Sequence, residues 1–91
     1  MPKIRVHIYV SGKVQGVFFR QNTKLQAQSR GVCGWVSNLL DGRVEAVFEG
    51  EEVPVKEVVD YCYSGPSFAK VECVEVFFED YTGEFLDFRI I

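Results

Sequence analysis

From Lys3 to Ser11 the chain alternates: Ile4, Val6, Ile8 and Val10 fall on one face, Arg5, His7 and Tyr9 on the other. A period of two is that of a strand with one buried face, and Gly12 is its expected end. The segment Gln21 to Arg30 is rich in helix-tolerant polar residues, and Gly31 suits the left-handed position that follows a helix. The apolar stripe of this helix is thin, either Ala27 with Thr23 or Leu25 with Val32. Gly34 to Asn38 reads as a short strand, Leu39-Leu40-Asp41-Gly42 as a turn, and Arg43 to Glu49 as the returning strand with Val44, Ala46 and Phe48 inward. Pro54 fits a first helical turn, Val55, Val58, Val59 and Cys62 recur at helical spacing, and Gly65-Pro66 stops that helix. Val71 is out of phase with Val74, Val76 and Phe78, which predicts a strand over Val71 to Glu79 with a bulge or bend near Cys73. Asp80 to Glu84 turns the chain, and Phe85 to Ile91 supplies a last strand with Leu86, Phe88 and Ile90 on one face.

The order β-α-β-β-α-β with a terminal extension predicts an α+β fold, the ferredoxin-like split β-α-β sandwich: a mostly antiparallel sheet with two helices on one face. Residues 1–91 contain no repeat or linker, and one domain with one core is expected. Such an architecture hosts enzymes, metal carriers, regulatory domains and RNA binders, so function has to be read from a site.

Composition narrows the classes. Hydrophobic residues are 47% and charged residues 25%, ordinary globular usage. No apolar run approaches the roughly 18 to 20 residues that cross a bilayer. The start Met1-Pro2-Lys3-Ile4-Arg5 lacks the apolar stretch of a secretion signal, so a cytoplasmic protein without a membrane partner is expected. A formal charge of -3 and a pI near 5.1 argue against a nucleic-acid surface. Cys33, Cys62 and Cys73 are odd in number and widely spaced, unlike a disulfide framework or zinc pairs. They are expected as reduced, mostly buried thiols, with a Cys33–Cys62 or Cys62–Cys73 bridge left open. His7, the single histidine, sits on the polar side of its strand and is expected as a surface or edge residue. No cluster has metal-ligand spacing and no nucleotide fingerprint is present, so neither metal nor cofactor is expected.

The loop Ser11-Gly12-Lys13-Val14-Gln15-Gly16-Val17-Phe18-Phe19-Arg20 is different in kind. It lies between the first strand and the first helix, where backbone N–H groups at a helix start are unpaired and able to face an anion. No proline interrupts it, so every residue from Gln15 to Arg20, namely Gln15, Gly16, Val17, Phe18, Phe19 and Arg20, has an amide hydrogen to offer. Gly12 and Gly16 permit the positive φ that lets successive amides converge in an anion nest. Arg20 adds a planar fork that binds two phosphate oxygens at once. A tight connection carrying a surface charge has the same spacing, and Asn38, before a hairpin turn, has an ordinary reading as a turn residue.

The run Gly12-Lys13-Val14-Gln15-Gly16-Val17-Phe18-Phe19-Arg20 resembles the first signature of the acylphosphatase family, and Gly34-Trp35-Val36-Ser37-Asn38 with Asp41-Gly42 resembles the second. The likeness continues through Glu49-Gly50, Gly65-Pro66 and Phe88-Arg89-Ile90, as in a stand-alone small member. Phe18 stands where glycine is frequent, Ser37 where a longer polar residue is usual, and Arg30 where the helix is often apolar. The resemblance implies that Arg20 and the amides of residues 15–20 bind the phosphoryl group and that Asn38 orients the attacking water. It implies hydrolysis of acyl phosphates to a carboxylate and inorganic phosphate without a metal. A monomer is the default expectation.

Such slight machinery is chemically adequate for that substrate. The leaving group is a carboxylate whose conjugate acid has a pKa of roughly 4, so it departs unprotonated. What remains is to neutralise charge on the equatorial oxygens and place a water in line. The alternative from another class is a non-catalytic ferredoxin-like regulatory domain that binds phosphate or a metabolite in the same loop.

Overall fold

The computed structural model describes residues 2–91. The alternation that begins at Lys3 is realised as β1 (Lys3–Lys13), whose even-numbered residues Val6, Ile8 and Val10 are buried. β1 lies inside the sheet, antiparallel to β3 (Val44–Glu51) on one side and to β4 (Lys70–Glu79) on the other. β2 (Cys33–Asn38) pairs antiparallel with the far side of β3, and β5 (Phe88–Ile90) adds a short parallel pairing to β2. Among the described residues the sheet order is β4-β1-β3-β2-β5, with one parallel pair, β2 with β5.

Two helices, α1 (Phe19–Ser29) and α2 (Glu52–Cys62), cover one face of the sheet. Their stripes meet the inward side chains of the strands in a single core that includes Phe19, Ala27, Val55, Val58 and Cys62 with Ile8, Val36, Phe48 and Phe88. α2 buries the predicted set Val55, Val58, Val59 and Cys62. On α1 the stripe is Phe19, Thr23 and Ala27, while Leu25 is exposed. α1 ends as expected at Gly31, with φ 68°: the Gly31 amide donates to Gln28 O at 3.3 Å and the Val32 amide to Ala27 O at 2.9 Å, satisfying two terminal carbonyls.

Other details depart from the expectations, among them the start of α1, which is Phe19 and not Gln21. β1 does not stop at Gly12 but runs to Lys13, because the bulge foreseen on β4 lies opposite: Ser11 faces Cys73 and Gly12 faces Val71, leaving Glu72 as the extra residue. Gly12, with φ 120°, serves that crossing, since a Cβ there would lie 2.2 Å from the Lys70 carbonyl oxygen. The last strand is shorter than Phe85 to Ile91, and Leu86 is solvent-exposed; Phe88 alone of its set is fully buried, stacked on Phe48 with centroids 5.5 Å apart. The cysteines are free thiols, as expected, and neither of the bridges left open forms; but they are not mostly buried, since only Cys62 is. Burial pushes the Cys62 thiol up to about 12, with the Thr23 hydroxyl beside it pulling the other way, which makes it an inert core residue.

The face of the sheet away from the helices is not bland. His7 lies with Nε2 2.6 Å from Glu45 Oε2 and Nδ1 2.9 Å from Glu79 Oε2, stacked on Tyr9 and edge-on to Trp35. It is thus a half-buried member of a central strand, not an edge residue. Beside it Glu49, 2% exposed, accepts from the Thr82 and Gly83 amides, the Thr82 hydroxyl and Arg5. These bonds fasten the turn after β4 onto the sheet.

Burial alone would raise the Glu49 carboxyl, but those donors outweigh it and hold it below the usual range; Glu79 is lowered chiefly by Arg5 and then by His7. A carboxylate that binds its proton more weakly when folded stabilises above its unfolded pKa, and that stabilisation is lost as pH falls through the folded value. Glu49→Gln is expected to cost about 1–3 kcal/mol at neutral pH. It should also flatten the acid limb of the stability profile, as measured by denaturant unfolding between about pH 3 and 7.

Candidate active site

The registers of β1 and β2 on β3 decide where the loop and Asn38 meet. Val10 of β1 and Asn38 of β2 both pair with Val44, one on each side of β3. β1 and β2 therefore point the same way, and their exits lie at one end of the sheet two strand spacings apart, roughly 9–10 Å. The connection from β1 to α1 crosses that gap.

The loop is shaped by two left-handed residues. Gly16 has φ 74°, and Phe18, the residue before α1, has φ 65° and ψ 25°. Alternating left-handed residues turn successive N–H groups toward one side, the geometry of an anion nest. Phe18 is the one non-glycine residue with positive φ among those described, and its ring is exposed, so no burial of that side chain explains the conformation. Its carbonyl is held from behind by the Asn22 amide and the Asn22 side chain, at 3.1 and 2.9 Å. Phe19 anchors the other flank: it is 2% exposed, and Gly65 leaves the space for its ring.

The start of α1 is left without an internal counter-charge. It has no side-chain cap and no acidic residue in its first turn, whereas α2 carries Glu52 in that position. Among the described residues, no side chain and no loop or turn carbonyl accepts from the amides of residues 15–20. Unpaired amides and the positive end of the helix dipole both favour an anion here.

A cavity of about 150 Å³ opens at this point, lined by Val14, Gly16, Phe18, Phe19, Arg20, Gln21 and Asn38. The structure thus brings Arg20 and Asn38 into one cavity with Gly16, Phe18 and Phe19. Gln15 and Val17 are outside the lining: Val17 is buried in the core, and the Gln15 side chain turns toward the β2–β3 hairpin. Among the described residues Arg20 makes no ion pair and no side-chain hydrogen bond. Asn38 Oδ1 is sealed from solvent and has no hydrogen-bond donor, a state that costs about 1–3 kcal/mol unless a guest supplies one.

Lys13 and Arg43, the other nearby cations, are differently employed or placed. Arg43 is bound by Asp41 at 2.8 Å and lies over the Tyr9 ring at 4.9 Å. Lys13 is the exposed last residue of β1, paired with Lys70 on β4. A larger hollow of about 320 Å³, bordered by Lys3, Arg30 and Glu49, lies at the opposite end of the sheet and contains none of the predicted site residues. Among the described residues no group of three or more His, Cys, Asp or Glu side chains is disposed to hold a metal ion. The linings Val14 and Gln21 escaped the sequence, as did the use of the Gln15 side chain; nothing in spacing foretells which way a loop side chain turns.

The family model for acylphosphatase matches residues 6–90. This chain belongs to the acylphosphatase family. It is 55% identical over 91 residues to an acylphosphatase of Roseiflexus sp. (strain RS-1), covering 100% of this chain and 98% of that protein. It is 59% identical over 87 residues to one of Syntrophus aciditrophicus (strain SB), covering 96% and 91%. The crystal structure of the acylphosphatase from Bacillus subtilis superposes with a TM-score of 0.92 at 35% identity, over 97% of this chain and 98% of that one. Both the hydrolase class and the ferredoxin-like fold follow from this membership.

The loop geometry makes a graded prediction. Nothing lies within 4 Å of a Cβ added at Gly16, so its φ of 74° is the obstacle to substitution, not space. Gly16→Asn is expected to lower the thermal unfolding temperature less than Gly16→Val, because asparagine tolerates the left-handed region and a β-branched residue does not. Calorimetry on the two variants checks the order.

Proposed function

We propose that the chain hydrolyses the carboxyl–phosphate bond of small acyl phosphates in this cavity, with Arg20 and the amides of Gln15 to Arg20 holding the phosphoryl oxygens and Asn38 steering the water. One observation carries the assignment of roles: Arg20, whose guanidinium is unpaired, and Asn38, whose Oδ1 lacks a donor, line the same cavity at the open start of a helix. In this reading the Asn38 carboxamide turns its Oδ1 out of its sealed position to accept a hydrogen bond from the water, which removes the cost of leaving that atom unpaired. Asparagine is too weak a base to take the proton, so the proton passes to a phosphoryl oxygen of the substrate. The water oxygen bonds to phosphorus as the phosphorus–oxygen bond to the acyl group breaks. The electron pair leaves with the carboxylate, and inorganic phosphate remains in the cradle. Charge on the equatorial oxygens is met by donors already in position, the main source of catalytic stabilisation available to such a site.

The reading needs no cofactor and treats residues 1–91 as one domain acting as a monomer in the cytoplasm, without nucleic-acid or membrane partners. Among the described residues no helix is long and apolar enough to cross a membrane.

Benzoyl phosphate hydrolysis in the presence of a chelator tests it. Turnover should persist, inorganic phosphate should inhibit competitively, and Arg20→Ala and Asn38→Ala should each lose about 3–4 kcal/mol of transition-state stabilisation, a fall of several hundredfold in kcat/KM. A variant that keeps half of the wild-type rate would remove its residue from the mechanism. Phosphate binding with no turnover by the wild-type chain would favour the regulatory-domain alternative.

A further inference from the structure

The Gln15 side chain spans two parts of the site that the backbone does not join. Its Nε2 donates to the Leu39 carbonyl at 2.8 Å and to the Arg43 carbonyl at 3.0 Å, using both amide hydrogens. These two carbonyls form the neck of the β2–β3 hairpin. The Leu39 amide donates to Arg43 O at 2.8 Å and the Gly42 amide to Leu39 O at 3.2 Å, so each oxygen serves the turn and Gln15 together. Leu39 directly follows Asn38.

We infer that Gln15 is a positioning residue that fixes the water-orienting Asn38 against the phosphate cradle. The inference rests on the reading of Arg20 and Asn38 given above, and it adds a side-chain role to a residue that the reading uses only through its amide. The backbone of Gln15 opens the cradle and its side chain holds the residue after Asn38, so one amino acid sets the separation between the bound phosphorus and the attacking oxygen. The tie acts on the angle and distance of attack and not on the grip on phosphate, which belongs to Arg20 and to main-chain amides. A carboxylate in its place would set two oxygens against two carbonyl oxygens. A protonated carboxylic acid would recover one of the two bonds, since it has one donor.

Gln15→Ala should lower kcat by about ten- to a hundredfold, the usual result of a small misplacement in an aligned site. It should leave the inhibition constant of inorganic phosphate near that of the wild type. Gln15→Glu should be impaired at neutral pH and regain kcat, relative to the wild type assayed alongside, as pH falls through the carboxylic acid range; Gln15→Ala should show no such recovery. Circular dichroism melts accompany both variants. Wild-type kcat in Gln15→Ala, a parallel loss of phosphate affinity and kcat, or an acid profile of Gln15→Glu that merely follows the wild type would each overturn the inference. So would loss of fold in both variants, which would make the tie structural. If Gln15→Ala is fully active while Asn38→Ala is dead, the positioning role fails and the reading of the site stands; an active Asn38→Ala removes the reading itself.

Discussion

The pairing of one residue, Val44, with partners on both sides is the constraint from which the site follows. Because Val10 and Asn38 sit at the same level on either flank of β3, the exit of β1 and the end of β2 are forced to one end of the sheet. A slip of one residue in the β2–β3 ladder would turn Asn38 to the opposite face, and a slip in the β1–β3 ladder would move the apolar set of β1 out of the core. The register is therefore guarded by the same burial that stabilises the fold: Val36 and Val44 on the helix side are fully buried. Gly34 contributes to this security, since only a residue without a Cβ can approach the Val47 carbonyl as closely as it does.

On that frame the proposed phosphate cradle is made mostly of main-chain atoms. The two left-handed residues, the absent helix cap and the missing first-turn carboxylate act in one direction, leaving donors and a partial positive charge facing a small cavity. Side chains contribute little besides Arg20. A net negative charge is compatible with the proposed phosphate site, because the positive charge there is local and largely belongs to peptide dipoles.

Much of the fold was legible because the alternation of β1 and the four-residue stripe of α2 are strong periodic signals. The β4 bulge was legible too, as a break in phase around Cys73. What failed was set by tertiary packing. α1 begins at Phe19, ahead of the polar run at Gln21, because the ring of Phe19 is core and the turn preceding it closes in the left-handed region. Leu86 is apolar in sequence and bare in the structure, since β5 pairs with only one strand and begins at Phe88. His7 reads as a surface residue from its phase, yet carboxylates from the strands on either side enclose it, a relation between distant segments that no local pattern contains. Of the candidate site, Arg20 and Asn38, which line one cavity, stand out in two spaced motifs, while the turn of the Gln15 side chain toward the hairpin has no local signal.

The vacancy that Gly65 leaves beneath Phe19 joins two places far apart in the chain. A Cβ at Gly65 would lie 2.6 Å from the Phe19 ring, and Phe19 is the buried first residue of α1. Bulk added after α2 would thus be transmitted through an aromatic lever to the amides of the first helical turn. The shape of the cavity end is governed partly from a connection outside its lining.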